Sequence, residues 1–174
     1  MEAPEVPTEH LHEEMQEHAS RGGWIMKVAL TAALTAALAA VAALKAGHTA
    51  NEAMLAQIES ANQWNFFQAK SIKASVLRSK MDLLVEMGKA ASPKDEAKAS
   101  DYEREQDEIK KHAEKLAVES HILLHQHQTL SHSVTMFQIG IAVSAMSVLA
   151  RRRWLWAVSL IFSALGLFYL IAAA

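Results

Sequence analysis

Three stretches of this chain, residues 24–44, 134–150 and 154–174, are almost free of charge, and they leave it few folds to choose from. An apolar run of about 18 or more residues is a membrane-span candidate, and in lipid a helix satisfies its own backbone hydrogen bonds. The sequence therefore predicts an all-α integral membrane protein with three transmembrane helices. The first span is filled with Ala, with Leu30, Leu34, Leu38 and Val41 along one face, and its one charge, Lys27, can snorkel to the interface. Small residues let backbones approach closely, so this helix is expected to pack against other helices. The second span is near the lower limit of about 17 residues and carries Gly140 and Ser144 at a spacing that suits close contact. The third is bulkier, with Leu160, Ile161, Phe162, Leu165, Leu167 and Phe168, and is expected to face lipid.

Residues 45–133 are charged and patterned in sevens. Tyr102, Ile109, Leu116, Leu123 and Leu130 follow one another at seven-residue steps, and Gln106, Ala113, Ser120, His127 and Val134 lie four places after each. This is the seam of a helix packed along its length against another helix. On the preceding arm Leu55, Asn62, Ala69, Val76 and Leu83 form a second series, with Ile58, Asn65 and Ile72 three places on. Gly88, Ser92 and Pro93 supply turn chemistry near 88–95, and Ser100 or Asp101 is the expected N-cap of the helix that follows. The prediction is a long extramembrane antiparallel helical hairpin in which the two seams pair with each other, in a chain that assembles through its helices into a homo-oligomer. Asn62 and Asn65 stand in seam positions, where Asn can fix register or oligomer state; solvent exposure is the alternative. Residues 1–23, with six Glu, three His and two Pro in the first twenty, are predicted to form an acidic flexible tail.

The basic turn Arg151, Arg152, Arg153 sets the expected orientation. Lys and Arg in short loops mark the cytoplasmic side, and Trp154 and Trp156 beside them suit an interfacial belt. Counting back places the N-terminus in the cytoplasm and the hairpin and C-terminus in the periplasm of a bacterial inner membrane.

Chemistry is sparse. The chain has no Cys, which removes disulfides, thiolate metal sites and Cys nucleophiles. Acids and bases nearly balance between the first two spans, so nothing points to nucleic acid. There is no Gly-rich phosphate loop, His-Glu-x-x-His or nucleophile elbow, and the expectation is a protein that is not an enzyme. The one cluster with ligand chemistry is His121, His125 and His132, with His48 and Glu52 starting the other arm at about the same height. Imidazole and carboxylate together suit a divalent metal such as zinc, or a pH switch; a solvated face rich in His and Gln is the plainer alternative, and no cofactor is required.

Leu44-Lys45-Ala46-Gly47, Asn51-Glu52-Ala53, Gln63-Trp64 and Phe67-Gln68-Ala69-Lys70-Ser71-Ile72-Lys73 resemble an uncharacterised bacterial family of small membrane proteins known as a domain of unknown function. The resemblance implies the same layout, with a first span, a helical middle and two closing spans joined by a basic turn. It implies no catalytic residue. The functional expectation is a helical oligomeric scaffold or docking protein with a projecting stalk. A homo-oligomeric channel or small transporter, and a metal or pH sensor built on the histidines, are the alternatives.

Overall fold

A computed structural model describes the backbone of residues 8–173 and the side chains of residues 23–173. Among the described residues all regular structure is helical: α1 (Thr8–Glu86), α2 (Pro93–Leu149) and α3 (Arg153–Ala172). Three of these helices contain stretches long and apolar enough to cross a membrane. The helix α1 starts well before the span boundary at Trp24, so of the expected tail only residues 1–7 lie outside the described residues. Glu, Gln, Met, Leu and Ala are good helix formers, and Gly22-Gly23 costs about 1 kcal/mol per residue without breaking the helix.

Two turns of the same kind end the long helices. Gly88 takes a φ of 73°, its N–H donates to the Val85 carbonyl at 2.9 Å, and the Lys89 N–H reaches Leu84 at 2.8 Å. This left-handed exit satisfies the orphan carbonyls of the last helical turn. Arg151 does the same for α2 with a φ of 51°, its N–H on Val148 at 3.2 Å and the Arg152 N–H on Ser147 at 3.0 Å. The helix α2 begins at Pro93, ahead of the N-cap expected at Ser100 or Asp101. Proline at the first position has no N–H to satisfy, the Ser92 carbonyl accepts the N–H groups of Asp95 and Glu96, and their carboxylates suit the helix dipole.

The chain divides into two compact units, one of Met1–Ala46 with Gln128–Ala174 and the other of Gly47–His127. In the second unit, the α1 and α2 segments pair with opposite sense. The Ser120 hydroxyl donates to the Ala53 carbonyl at 2.9 Å and the Ser60 hydroxyl to that of Ala113 at 2.9 Å. Further on, Lys70 pairs with Glu105, Arg78 with Glu103, and Lys80 with Asp95 at 2.7 Å. As the α1 number rises the α2 number falls, so the segments run antiparallel. Ala53, Ser60, Ala74, Ala99, Ala113 and Ser120 are all buried. Small side chains at seven-residue steps let the two backbones close together until hydroxyls on one helix reach carbonyls on the other.

In the first unit α3 contacts both other helices. Trp156 Nε1 donates to Thr31 Oγ1 at 3.1 Å, Thr35 and Ser163 hydroxyls meet at 3.2 Å, and Ala46 clusters with Ala173. Both numbers rise together, so α1 and α3 are parallel here. Against α2 the order reverses: the Tyr169 and His132 rings lie 5.8 Å apart, the Ser133 hydroxyl donates to the Gly166 carbonyl at 2.7 Å, and Gly140 faces Ser159 and Ser163. Alternating directions are what three successive membrane passes produce. Where lipid tails are as apolar as Leu, such helices are held by packing and by interhelical hydrogen bonds worth on average about 0.6 kcal/mol each.

Candidate functional site

The outward face of α1 in the unit Gly47–His127 carries the least expected arrangement. The series Leu55, Ile58, Ile72, Val76 and Leu83, expected to pack against α2, is instead more than half exposed at every position, with Leu55 and Ile58 at the edge of a groove shared with α2. The face that meets α2 is the small one, with Thr49, Ala53, Ser60 and Ala74 buried and Phe67 and Leu77 half-buried. The physical reason is that close helix approach selects small side chains over large ones, so the bulkier stripe is left outside. Asn62 and Asn65 lie on this outward stripe and are exposed.

On α2 the expected seam residues Tyr102, Ile109, Leu116 and Leu123 are half-buried and Leu130, in the other unit, is fully buried. Lys70 lies over the Tyr102 ring at 5.0 Å, an interhelical cation–π contact. Leu116 and Leu123, with Leu55, Glu52, Glu59 and Glu119, line a groove of about 500 Å³ whose apolar floor is rimmed by carboxylates.

The proposed metal ligands are distributed as follows. His48 Nε2 lies 3.2 Å from Glu52 Oε1, one turn along an exposed stretch of α1. His121 and His125 are exposed on α2, and His132, in the other unit, leans on the Tyr169 ring. Among the described residues no three His, Cys, Asp or Glu come close enough to hold one metal ion. A His–Glu pair falls short of the three or four protein ligands that zinc takes. Arg151, Arg152 and Arg153 are exposed at the turn between α2 and α3.

Sequence reasoning placed Ser120 in the α2 seam and Ser144 at a close-contact spacing, but passed over the buried hydroxyls Thr35, Ser60, Ser133 and Ser159. Their signal was there, as small polar residues recurring at helical spacing, but a search for large apolar residues does not find it.

The family described as Domain of unknown function (DUF4337) matches residues 24–174. No curated protein and no solved structure matches the chain.

Proposed function

The chain belongs to that family, and from this premise we propose that it is a non-enzymatic membrane protein whose helical hairpin assembles copies of the chain into a scaffold. The observation that supports this is the exposed row on α1. Written as a heptad, Leu55, Asn62, Ala69, Val76 and Leu83 occupy a, and Ile58, Asn65, Ile72 and Ser79 occupy d. An exposed apolar row of this length and phase is the surface of a coiled coil that lacks its partner.

A second copy fits it best. An Asn amide both donates and accepts, so an Asn layer is satisfied by an identical Asn across a symmetry axis. Copies inserted with one orientation have parallel α1 helices, and Asn at a is the established register device of parallel coiled coils. In parallel register the flanking pairs are Met54 with Glu59, Ala61 with Phe66, Gln68 with Lys73, Ser75 with Lys80 and Asp82 with Met87. No pair sets like charges together. The orientation follows from the arginine turn, with residues 151–153 cytoplasmic and the hairpin in the periplasm of a bacterial inner membrane.

Single cysteines test the contact cleanly, since the chain has none of its own. Asn62→Cys should give a disulfide-linked dimer in membranes under mild oxidation, and Ser60→Cys, buried against α2, should not. Ile72→Asp with Val76→Asp should shift the purified protein to its monomer mass. An unchanged mass would remove the outward row as the assembly surface.

A further inference from the structure

In the unit of Met1–Ala46 with Gln128–Ala174, a cavity of about 550 Å³ opens where α1 enters its apolar stretch and α3 begins, lined by Gly23, Trp24, Lys27, Arg153, Trp156 and Ala157. We propose that this cavity binds a phosphate group, as carried by the headgroup of an anionic lipid. The site rests on the reading of this unit as membrane-embedded.

Four features converge on an oxyanion. Lys27 and Arg153 both line the cavity, no carboxylate does, and neither cation has an acidic partner among the described residues. The Arg153 Cζ lies 5.9 Å from the Trp24 ring centroid, a cation–π contact across the cavity lining. The two indoles differ in a telling way: Trp156 Nε1 donates to Thr31, whereas Trp24 Nε1 is buried with no partner among the described residues. A buried N–H left unpaired costs about 1–3 kcal/mol, so a residue of the cavity wall carries a donor in want of an acceptor. Finally, Arg153 is the first residue of α3, and Arg152 before it gives no side-chain cap. The Leu155 N–H donates to the Arg152 carbonyl at 3.2 Å, which leaves the N–H groups of Arg153 and Trp154 and the positive end of the helix dipole to an anion.

Position selects among anions. The cavity sits at the charged end of two apolar helices and is walled by two Trp, the arrangement of a membrane interface, where lipid phosphates lie. Guanidinium matches phosphate oxygens in bidentate fashion, and the ammonium adds a point charge. The volume falls within the roughly 300–1,000 Å³ range of ligand pockets, leaving room for the glycerol beyond a phosphodiester.

The test is native mass spectrometry of the full-length protein in non-ionic detergent, titrated with phosphatidylglycerol and with phosphatidylcholine. Phosphatidylglycerol should bind the tighter, and Lys27→Gln and Arg153→Gln should each weaken it about fivefold, the effect of one cation near a charged surface. Trp24→Phe keeps the ring and removes the donor, and should weaken binding a few-fold. Lys27→Arg should retain binding, which separates loss of charge from loss of fold. Arg151→Gln lies outside the cavity and should leave affinity unchanged. If Arg151→Gln weakens binding as much as Arg153→Gln, or if the two lipids bind alike, the site does not exist. Displacement of the lipid by millimolar inorganic phosphate assigns the site to the phosphate group alone, and retention assigns it to the lipid diester. Alkaline carbonate extraction of the same variants reports separately on membrane embedding, so failure of that reading is distinguishable from failure of the site.

Discussion

Gly166 offers a sharp test of how tightly α2 and α3 are packed. A Cβ added there would meet the Phe137 ring at 2.7 and 2.8 Å, against an ordinary closest approach of 3.4 Å. Phe137 is fully buried, so its ring has no open side to turn into. Restoring normal contact requires the helices to part by about 0.7 Å. That retreat also strains the bond from the Ser133 hydroxyl to the Gly166 carbonyl, now 2.7 Å, toward the limit of a hydrogen bond. Overpacking a core costs about 1–3 kcal/mol and a weakened buried hydrogen bond a further ~0.5–1.5 kcal/mol. Helix propensity works the other way, favouring Ala over Gly by about 1 kcal/mol. Steric cost wins, and Gly166→Ala should destabilise by about 1–3 kcal/mol.

Gly47 supplies the opposite sign. It lies within α1 with nothing within 4 Å of an added Cβ, so Gly47→Ala should gain the propensity term alone. At ~2–4 °C per kcal/mol for a chain of this size, thermal unfolding in detergent followed by circular dichroism should fall by roughly 2–12 °C for Gly166→Ala and rise by a few degrees for Gly47→Ala. In a Phe137→Leu background Gly166→Ala should cost less than in the parent, because the clashing ring is gone. A rise in both single variants would refute the close packing of α3 on Phe137.

Other substitutions probe separate parts of the fold. Ser60→Ala and Ser120→Ala each delete a buried interhelical hydrogen bond, and each should cost about 0.5–1.5 kcal/mol in thermal or denaturant unfolding. Arg151→Gly removes a side chain from the left-handed exit of α2 and should stabilise by about 1 kcal/mol, read as a higher melting temperature. Leu116→Asp or Leu123→Asp places a charge in the half-buried seam and should promote thermal aggregation far more than Glu119→Gln, whose carboxylate is exposed. A cysteine at Ser92 should react with an impermeant thiol reagent in intact spheroplasts and one at Ser20 should not, with the reverse pattern inverting the orientation.

Long uncharged blocks made readable the stretches long and apolar enough to cross a membrane, because hydropathy over about twenty residues is a strong signal. Gly88 and Pro93 marked the break between the long helices, since a positive φ and a missing N–H are properties of those residues themselves. The cavity at Lys27 and Arg153 was not readable. Lys27, Arg153 and Trp156 were each recognised as interface residues, but the sequence gives no means of placing Trp24 beside Arg153, which depends on α1 and α3 running parallel. The histidines illustrate the converse: shared helical phase put His121 and His125 on one face, yet a common face on one helix does not bring in ligands from another.

The inverted α1 seam follows from having two heptad stripes on one helix. Leu55, Ile58, Ile72, Val76 and Leu83 are the more hydrophobic stripe, and hydropathy alone assigns them to the core. Yet α2 offers Ala99, Ala113 and Ser120 along its own inner face, all buried, and these match Ala74, Ser60 and Ala53 at close range. Turning the large stripe inward would force the backbones apart and break the hydroxyl-to-carbonyl bonds at Ser60 and Ser120. It would also bury Asn62 and Asn65 against the apolar and small side chains of α2, leaving amides unpaired at a cost of about 1–3 kcal/mol per group. Small residues therefore bind the chain to itself and leave the large stripe with its two asparagines exposed, which in the proposed assembly meets a second copy able to return the same amide. Replacing Asn62 by Leu tests that division of labour. It should leave assembly intact, because the row becomes more apolar, but should loosen the choice of subunit number. Native mass spectrometry should then find more than one oligomeric mass where the parent gives one, and a single unchanged mass would mean that Asn62 takes no part in setting the assembly.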